Sequence, residues 1–291
     1  MKLSEQLKQD GFSLSFEVFP PKTDTGFSSV KAATEKIAAL GPAFVSVTYG
    51  AGGGTSRYTL DIADNIRRNY GVPAVAHLTC VSSTRETVAA RIAELRARGI
   101  ENVMALRGDL TPELAASDRS GWAYRHAVDL IRELRESGGE FCIGGACYPE
   151  VHPESANSRE DLLHLREKQD AGCDFFTTQM VFDNTLFYSF LARARQAGIT
   201  VPILPGVMPI TNVTQIQRAV QLSGSFLPRE FLAITDRFGD KPEAMKQAGL
   251  AFATEQIVDL FANGVRNVHV YTMNKPDVAA KLMENLSGIL S

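Results

Sequence analysis

The stretch N-V-M-A-L-R-G-D-L at residues 102–110 decides how the rest of the chain is read. Val103 to Leu106 form a short apolar run, the pattern of a β-strand buried on both faces. The run stops abruptly at Arg107, Gly108 and Asp109. Glycine lets a chain turn sharply and lets a ligand approach the backbone. Two opposite charges are therefore expected at the carboxyl end of a core strand, the end at which α/β sheets and barrels bind ligands. Taken alone, the tripeptide reads equally well as an Arg–Asp ion pair closing a loop.

The same pattern recurs along the chain. Apolar runs at 13–19, 44–49, 73–78, 141–146, 175–178, 202–207 and 267–271 predict seven further strands. Amphipathic segments at 26–40, 57–70, 84–98, 123–137, 158–171, 186–197, 211–222, 243–263 and 277–290 predict helices between and after them. Thr84 reads as an N-cap, and Gly99, Gly172 and Gly198 as helix stops. Strands alternating with helices over short links, with no linker segment, predict one α/β domain over residues 1–291: a single (β/α)8 TIM barrel. An open doubly wound sheet is the alternative, but it calls for a Gly-rich dinucleotide fingerprint after its first strand. G-A-G-G-G at 50–54 has the wrong spacing and follows the second strand.

Composition narrows the partners. A net charge of −3 argues against nucleic acid and anionic membrane surfaces. The first residues, M-K-L-S-E-Q-L-K-Q-D-G, lack the apolar centre of a signal peptide, and no run approaches a membrane span. Cys80, Cys142, Cys147 and Cys173 form no C-x-x-C pair. Buried, reduced thiols are expected, and with them a cytoplasmic location.

The polar residues at predicted strand ends are Glu17, Thr48, His77, Arg107 with Asp109, Tyr148, Gln179, and Asn274 with Lys275. A barrel gathers them around one mouth. Each has an ordinary structural reading as well: Glu17 could pair with Lys22, His77 could be a satisfied core histidine, and Gln179 could cap a loop. Their convergence predicts an active site. His77, His126, His152, His164 and His269 make no H-x-H or H-E-x-x-H pattern, so no metal is expected. No predicted strand interior holds a lysine for Schiff-base chemistry, and there is no G-x-S-x-G elbow. One carboxylate in an apolar strand, one charge pair and several neutral hydrogen-bonders suit an organic cofactor that carries the redox chemistry, with the protein supplying orientation and proton transfer.

Nine motifs then carry a family resemblance. They are S-F-E-V-F-P-P at 15–21, V-T-Y-G-A-G-G at 47–53, A-H-L-T-C at 76–80, R-G-D at 107–109 and Y-P-E-V-H-P at 148–153. K-x-D-A-G at 168–172, T-Q-M-V-F-D at 178–183, P-G-V-M-P-I at 205–210 and H-V-Y-T-M-N-K at 269–275 follow in order. Together they resemble methylenetetrahydrofolate reductase over nearly the whole chain. The end of the chain after the barrel resembles the bacterial form, without the regulatory domain appended in animals.

The resemblance implies a flavoprotein of one-carbon metabolism and methionine biosynthesis. Hydride would pass from NAD(P)H to FAD, then from reduced FAD to 5,10-methylenetetrahydrofolate, a ping-pong scheme yielding 5-methyltetrahydrofolate. A homo-oligomer, dimer or tetramer, is implied as well. Glu17 would be the general acid that protonates N10, since a carboxyl in an apolar strand has its neutral form favoured by desolvation. Asp109 would accept hydrogen bonds from the pterin edge and disfavour an anionic reduced flavin. Gln179, with Gln215 and Lys275, would bind substrate. Thr48, Tyr49 and His77 would lie beside the flavin ring. Arg107, Gly108, Asp109, Tyr124, Tyr148, His152, Asp161 and Lys168 would contact the FAD, Arg107 and Lys168 as diphosphate partners.

Three positions depart from the family pattern. Lys275 stands where many relatives carry Arg and offers charge without a bidentate fork. Ala219 stands where bacterial relatives often place an aromatic ring that stacks on substrate, and Glu167 where a second basic residue is common. Two other readings compete: a different flavin barrel oxidoreductase, such as a proline-dehydrogenase-like enzyme, and a non-catalytic barrel serving as an assembly partner. No reader of a 2′-phosphate or 2′-hydroxyl is recognisable, so NADH and NADPH are not separated.

Overall fold

The computed structural model describes residues 2–21, 23–49, 56–110, 114, 116–117, 121–138 and 140–290. Its strands are β1 (Ser13–Val18), β2 (Val45–Val47), β3 (Ala74–Thr79), β4 (Asn102–Leu106), β5 (Cys142–Cys147), β6 (Phe175–Met180), β7 (Ile203–Val207) and β8 (Asn267–Tyr271). They are parallel and hydrogen-bonded in chain order, and β8 closes the ring against β1. The (β/α)8 barrel expected from the sequence is the fold.

Side-chain alternation explains the apolar strands. Leu14, Phe16, Val18, Val103, Ala105, Ile143, Val268 and Val270 point outward into the main core, where they meet Ile37, Ile66, Leu95 and Leu130 of the surrounding helices. The inward set begins with a separate apolar layer: Phe44, Val75, Met104, Cys142, Phe175 and Leu204. Gly144 is needed in that layer, because any Cβ there would overlap the Phe175 ring. A short helix, α1 (Leu3–Gln6), plugs this end of the barrel with Leu3 and Leu7. The Leu3 N–H donates to Asn102 Oδ1 at 2.9 Å, and Asn267 Nδ2 donates to the Leu7 carbonyl at 3.3 Å. Toward the carboxyl ends the interior turns polar: Glu17, Ser46, His77, Thr177 and His269 are all buried.

The outer helices are α2 (Phe27–Ala38), α3 (Ser56–Tyr70), α4 (Arg85–Ala97), α5 (Ala127–Glu136), α6 (Ser158–Asp170), α7 (Asn184–Gln196), α8 (Val213–Ser223), α9 (Arg229–Phe238), α10 (Pro242–Ala262) and α11 (Pro276–Asn285). One difference from the sequence reading has a clear cause. The helix expected from residue 123 starts at Ala127, because Asp129 accepts the backbone N–H groups of Arg125 and His126 and fixes the start there. The short α1 and the whole of α9 have no counterpart among the predicted helices. The helix expected to run to 290 ends at Asn285. The four cysteines are buried and free. Among the described residues no helix is long and apolar enough to cross a membrane.

Candidate active site

The buried carboxyl of Glu17 is the centre of the barrel mouth. Parallel pairing sets Glu17 of β1 opposite Ser46 on one side and Tyr271 on the other. Glu17 Oε2 lies 3.5 Å from Ser46 Oγ, 3.6 Å from His77 Nε2 and 3.8 Å from His269 Nε2. Burial lowers the His77 pKa to about 4, partly offset by the Glu17 charge, so its ring is neutral at pH 7. Its Nε2 is buried without a hydrogen-bond partner. Tyr271, whose phenol burial and the Glu17 charge push well above its ordinary range, donates to the Thr178 carbonyl at 2.6 Å.

The loop after β8 is tied to β1. Asn274 accepts from the Phe19 N–H at 2.8 Å and donates to the Phe19 carbonyl at 2.9 Å. Met273 and Asn274 reach this clamp through consecutive left-handed residues, φ 54° and 55°. Asn274, grouped with the strand-end candidates, therefore holds the rim of the site. Thr272 reinforces it with a 2.7 Å bond to the Glu17 carbonyl.

At the end of β4, Gly108 has φ +95°, and a Cβ there would stand 2.7 Å from Val81 Cγ1. Glycine is required on both counts. The turn leaves Asp109 exposed and Arg107 partly buried. Arg107 does not close the loop on Asp109 in the simple way the tripeptide suggests: its guanidinium pairs with Glu154 at 2.6 Å, and that contact leads the causes that raise its pKa. Tyr148 and His152 pack edge to face, with ring centroids 4.5 Å apart. Between them Val151 has φ 74°, a costly conformation for a β-branched residue, stored beside the site. Burial pushes the Tyr148 phenol up to about 12, helped by the Asp109 charge.

Lys168 of α6 points back at the barrel and donates to the Ala146 carbonyl at 2.9 Å. Burial lowers its pKa. Asp161 accepts from Ser155 Oγ at 3.0 Å. Tyr124 is buried in the main core, and Arg85 lies 5.8 Å from its ring centroid. Thr48 donates its N–H to the Val18 carbonyl, and Tyr49 packs against the main core. The G-A-G-G-G run beyond them and Lys22 lie outside the described residues.

On the opposite rim, Gln179 Oε1 accepts from the Met180 N–H at 2.9 Å, which leaves the amide nitrogen to offer. Gln215 Oε1 accepts from both the N–H and Oγ1 of Thr211, at 2.8 and 3.0 Å. Lys275 Nζ donates to the same Thr211 Oγ1 at 2.6 Å, so Gln215 and Lys275 share one junction. Ala219 is buried in a cluster with Phe182, Met208, Ile216, Phe231 and Met245.

Three residues of this centre escaped the sequence reading as candidates: Ser15, Ser46 and His269. Period-two alternation back from Glu17 gives Ser15, and parallel register across β1 then gives Ser46 and His269. Among the described residues no group of three His, Cys, Asp or Glu side chains could hold a metal.

Comparison with known proteins places this geometry in context. A family model described as methylenetetrahydrofolate reductase matches residues 2–287. The methylenetetrahydrofolate reductase (NADH) 1 of Arabidopsis thaliana is 34% identical over 99% of this chain and 50% of its own length. The 5,10-methylenetetrahydrofolate reductase of Escherichia coli (strain K12) is 34% identical over 96% of this chain and 92% of its own. The chain thus spans about half the length of the plant relatives and nine-tenths of the bacterial one. A solved protein from Clostridium thermocellum, described as binding two copies of 5-methyl-5,6,7,8-tetrahydrofolic acid, shares the fold. Its TM-score is 0.70 at 14% identity, over 99% of this chain and 100% of that one.

Proposed function

The chain belongs to the methylenetetrahydrofolate reductase family, and on that premise we propose that it reduces 5,10-methylenetetrahydrofolate to 5-methyltetrahydrofolate with NAD(P)H, through FAD, in two successive half-reactions. One observation carries the reading. A buried carboxyl, Glu17, faces the barrel mouth whose rim also bears the exposed Asp109.

The residues fit a flavin. His77 Nε2 is a buried polar atom that lacks a partner, and a neutral imidazole there can bond a heteroatom of the ring system. Lys168 carries an ammonium group hydrogen-bonded to a backbone carbonyl, with further N–H groups to donate. The present partner of Arg107, Glu154, is half exposed and can yield to a more anionic group. Arg107 and Lys168 are the natural holders of a diphosphate, with Thr48, Tyr49 and His77 toward the ring and Tyr124, Tyr148, His152 and Asp161 supporting. When bound, FAD supplies a two-electron carrier that accepts hydride from NAD(P)H and releases it to the folate.

The protein's own task is the proton. Glu17 gives its proton to N10 of the folate, that C–N bond breaks, and the iminium left at N5 can take a hydride to become a methyl group. Asp109 accepts hydrogen bonds from the amino-amide edge of the pterin, and the Gln179 amide donates to the same ligand. Gln215 and Lys275 bind the remainder, the lysine as a point charge toward the folate carboxylates.

The test is the visible spectrum of the purified protein under anaerobic titration. Bleaching of a flavin spectrum by NADH or NADPH, and its return on adding methylenetetrahydrofolate, is the expected result. Flavin that bleaches but is not reoxidised by the folate makes the protein a different flavin barrel oxidoreductase. A protein that cannot be loaded with FAD overturns the cofactor assignment.

A further inference from the structure

We propose that Ser15, His269 and Ser46 form a hydrogen-bonded positioning chain that fixes the Glu17 carboxyl and stabilises the charge it acquires on giving up its proton. The proposal rests on the reading of Glu17 as the folate acid.

The geometry gives the chain a direction. Once Glu17 has given up its proton its carboxylate can only accept, so in that state Ser46 Oγ donates to Oε2 across 3.5 Å. Ser46 has one proton, so its oxygen must accept from His269 Nε2, 3.1 Å away. Nε2 then carries the ring hydrogen, which leaves Nδ1 as an acceptor for Ser15 Oγ at 2.7 Å. The competing acceptor of Ser15, the Val268 carbonyl, is farther, at 3.3 Å. With the ring hydrogen on Nε2, every bond in the run from Ser15 to Glu17 is satisfied.

The ring has no other task visible. His269 is 1% exposed, so it cannot reach a ligand, and it stacks on Phe44 with centroids 5.4 Å apart, which sets its plane. A buried imidazole held by two hydroxyls across three adjacent strands, β8, β1 and β2, costs desolvation that an apolar residue would avoid. Its place directly behind the carboxyl accounts for it. Among the described residues, the titratable groups facing Glu17 are His77 from β3 and His269 and Tyr271 from β8. Only His269 is joined to Glu17 through a hydroxyl that can donate.

The experiment compares the two half-reactions by stopped flow in the FAD-loaded protein, for Ser46→Ala, His269→Leu and His269→Gln. Without the hydroxyl donor, Ser46→Ala and His269→Leu should slow reoxidation of reduced flavin by methylenetetrahydrofolate about tenfold, the scale of one lost hydrogen bond to a charged group. The pH profile of that step should move to higher pH, because the carboxylate is less stabilised and holds its proton longer. Flavin reduction by NAD(P)H should change far less. His269→Gln, whose amide can reach Ser46 as the ring Nε2 does, should recover most of the rate. Glu17→Gln is run alongside. If it leaves folate reduction intact, the reading of Glu17 as the acid fails. If it abolishes folate reduction while the Ser46 and His269 variants keep the wild-type rate and pH profile, only the positioning chain is overturned. Equal slowing of both half-reactions with an unmoved pH profile also overturns it, since a merely structural defect behaves that way.

Discussion

His77 Nε2 stands 3.6 Å from Glu17 Oε2, buried and without a hydrogen bond. An imidazole and a carboxyl this close invite an ion pair, yet burial wins over the Glu17 charge and the ring stays neutral, with its pKa lowered to about 4. Glu17 is thus not a hydrogen-bond partner that satisfies the ring.

The depressed pKa has a consequence for stability. An exposed histidine in the unfolded chain takes a proton below about pH 6.5, while the folded one resists until about 4. The unfolded state therefore binds more protons in that window, and stability falls as pH drops from 6.5 toward 4, by roughly 3 kcal/mol in full. Urea denaturation of the flavin-free protein at pH 7 and 5 should show the loss, and His77→Asn should flatten it. An equal slope in His77→Asn would assign the effect to other groups.

Glu17→Gln removes the proton donor and keeps the side chain's size. Folate-dependent flavin reoxidation should fall by about 10²–10⁴, the usual contribution of a general acid. Flavin reduction by NAD(P)H needs no such proton and should change little. Rapid-mixing absorbance at the flavin band separates the two, and equal losses in both would remove Glu17 from the folate step.

Gly206→Ala probes the packing beneath Tyr271. A Cβ at this position would lie 2.5 Å from Tyr271 Cε2 and 2.7 Å from the Thr178 carbonyl oxygen. Backbone cannot yield easily, so Tyr271 must move and lose its bond to Thr178. Overpacking of this kind costs about 1–3 kcal/mol, readable as a lowered denaturation midpoint. An unchanged midpoint would mean that β6 and β7 separate without strain.

Lys275→Met removes a charge and keeps an apolar stem. The ammonium group bonds the Thr211 hydroxyl, burial lowers its pKa, and among the described residues no carboxylate pairs with it. The charge is free to meet an anionic ligand. The variant should raise KM for the folate several-fold with kcat little changed, as expected for contact with a remote part of the substrate. A change confined to KM for NAD(P)H would reassign the residue.

Much of the molecule was legible in its sequence for a simple reason. Strand and helix periodicity are local, so the eight strands, their order and the barrel could be read from runs such as 102–106 and the helices between them. Glu17, His77, Arg107 and Gln179 stood out as candidates because a polar residue in or just beyond an apolar strand is itself a local signal. Helix α9 was missed because a ten-residue amphipathic segment between two longer helices carries little signal of its own.

Other features were not local at all. Sequence left an ion pair with Asp109 as one of two readings of Arg107, whereas folding gave it Glu154, 47 residues away. Asn274 stood among the polar residues at strand ends and became the clamp on Phe19, 255 positions distant. Ser15, Ser46 and His269 are ordinary residues on three separate strands, and nothing in the chain marks them as a set. By itself the sequence determined which residues face the inside of the barrel, because alternation follows from the backbone. Which of them touch was decided by the closure of β8 onto β1, because only parallel register across that seam brings residues 254 positions apart within 2.7 Å.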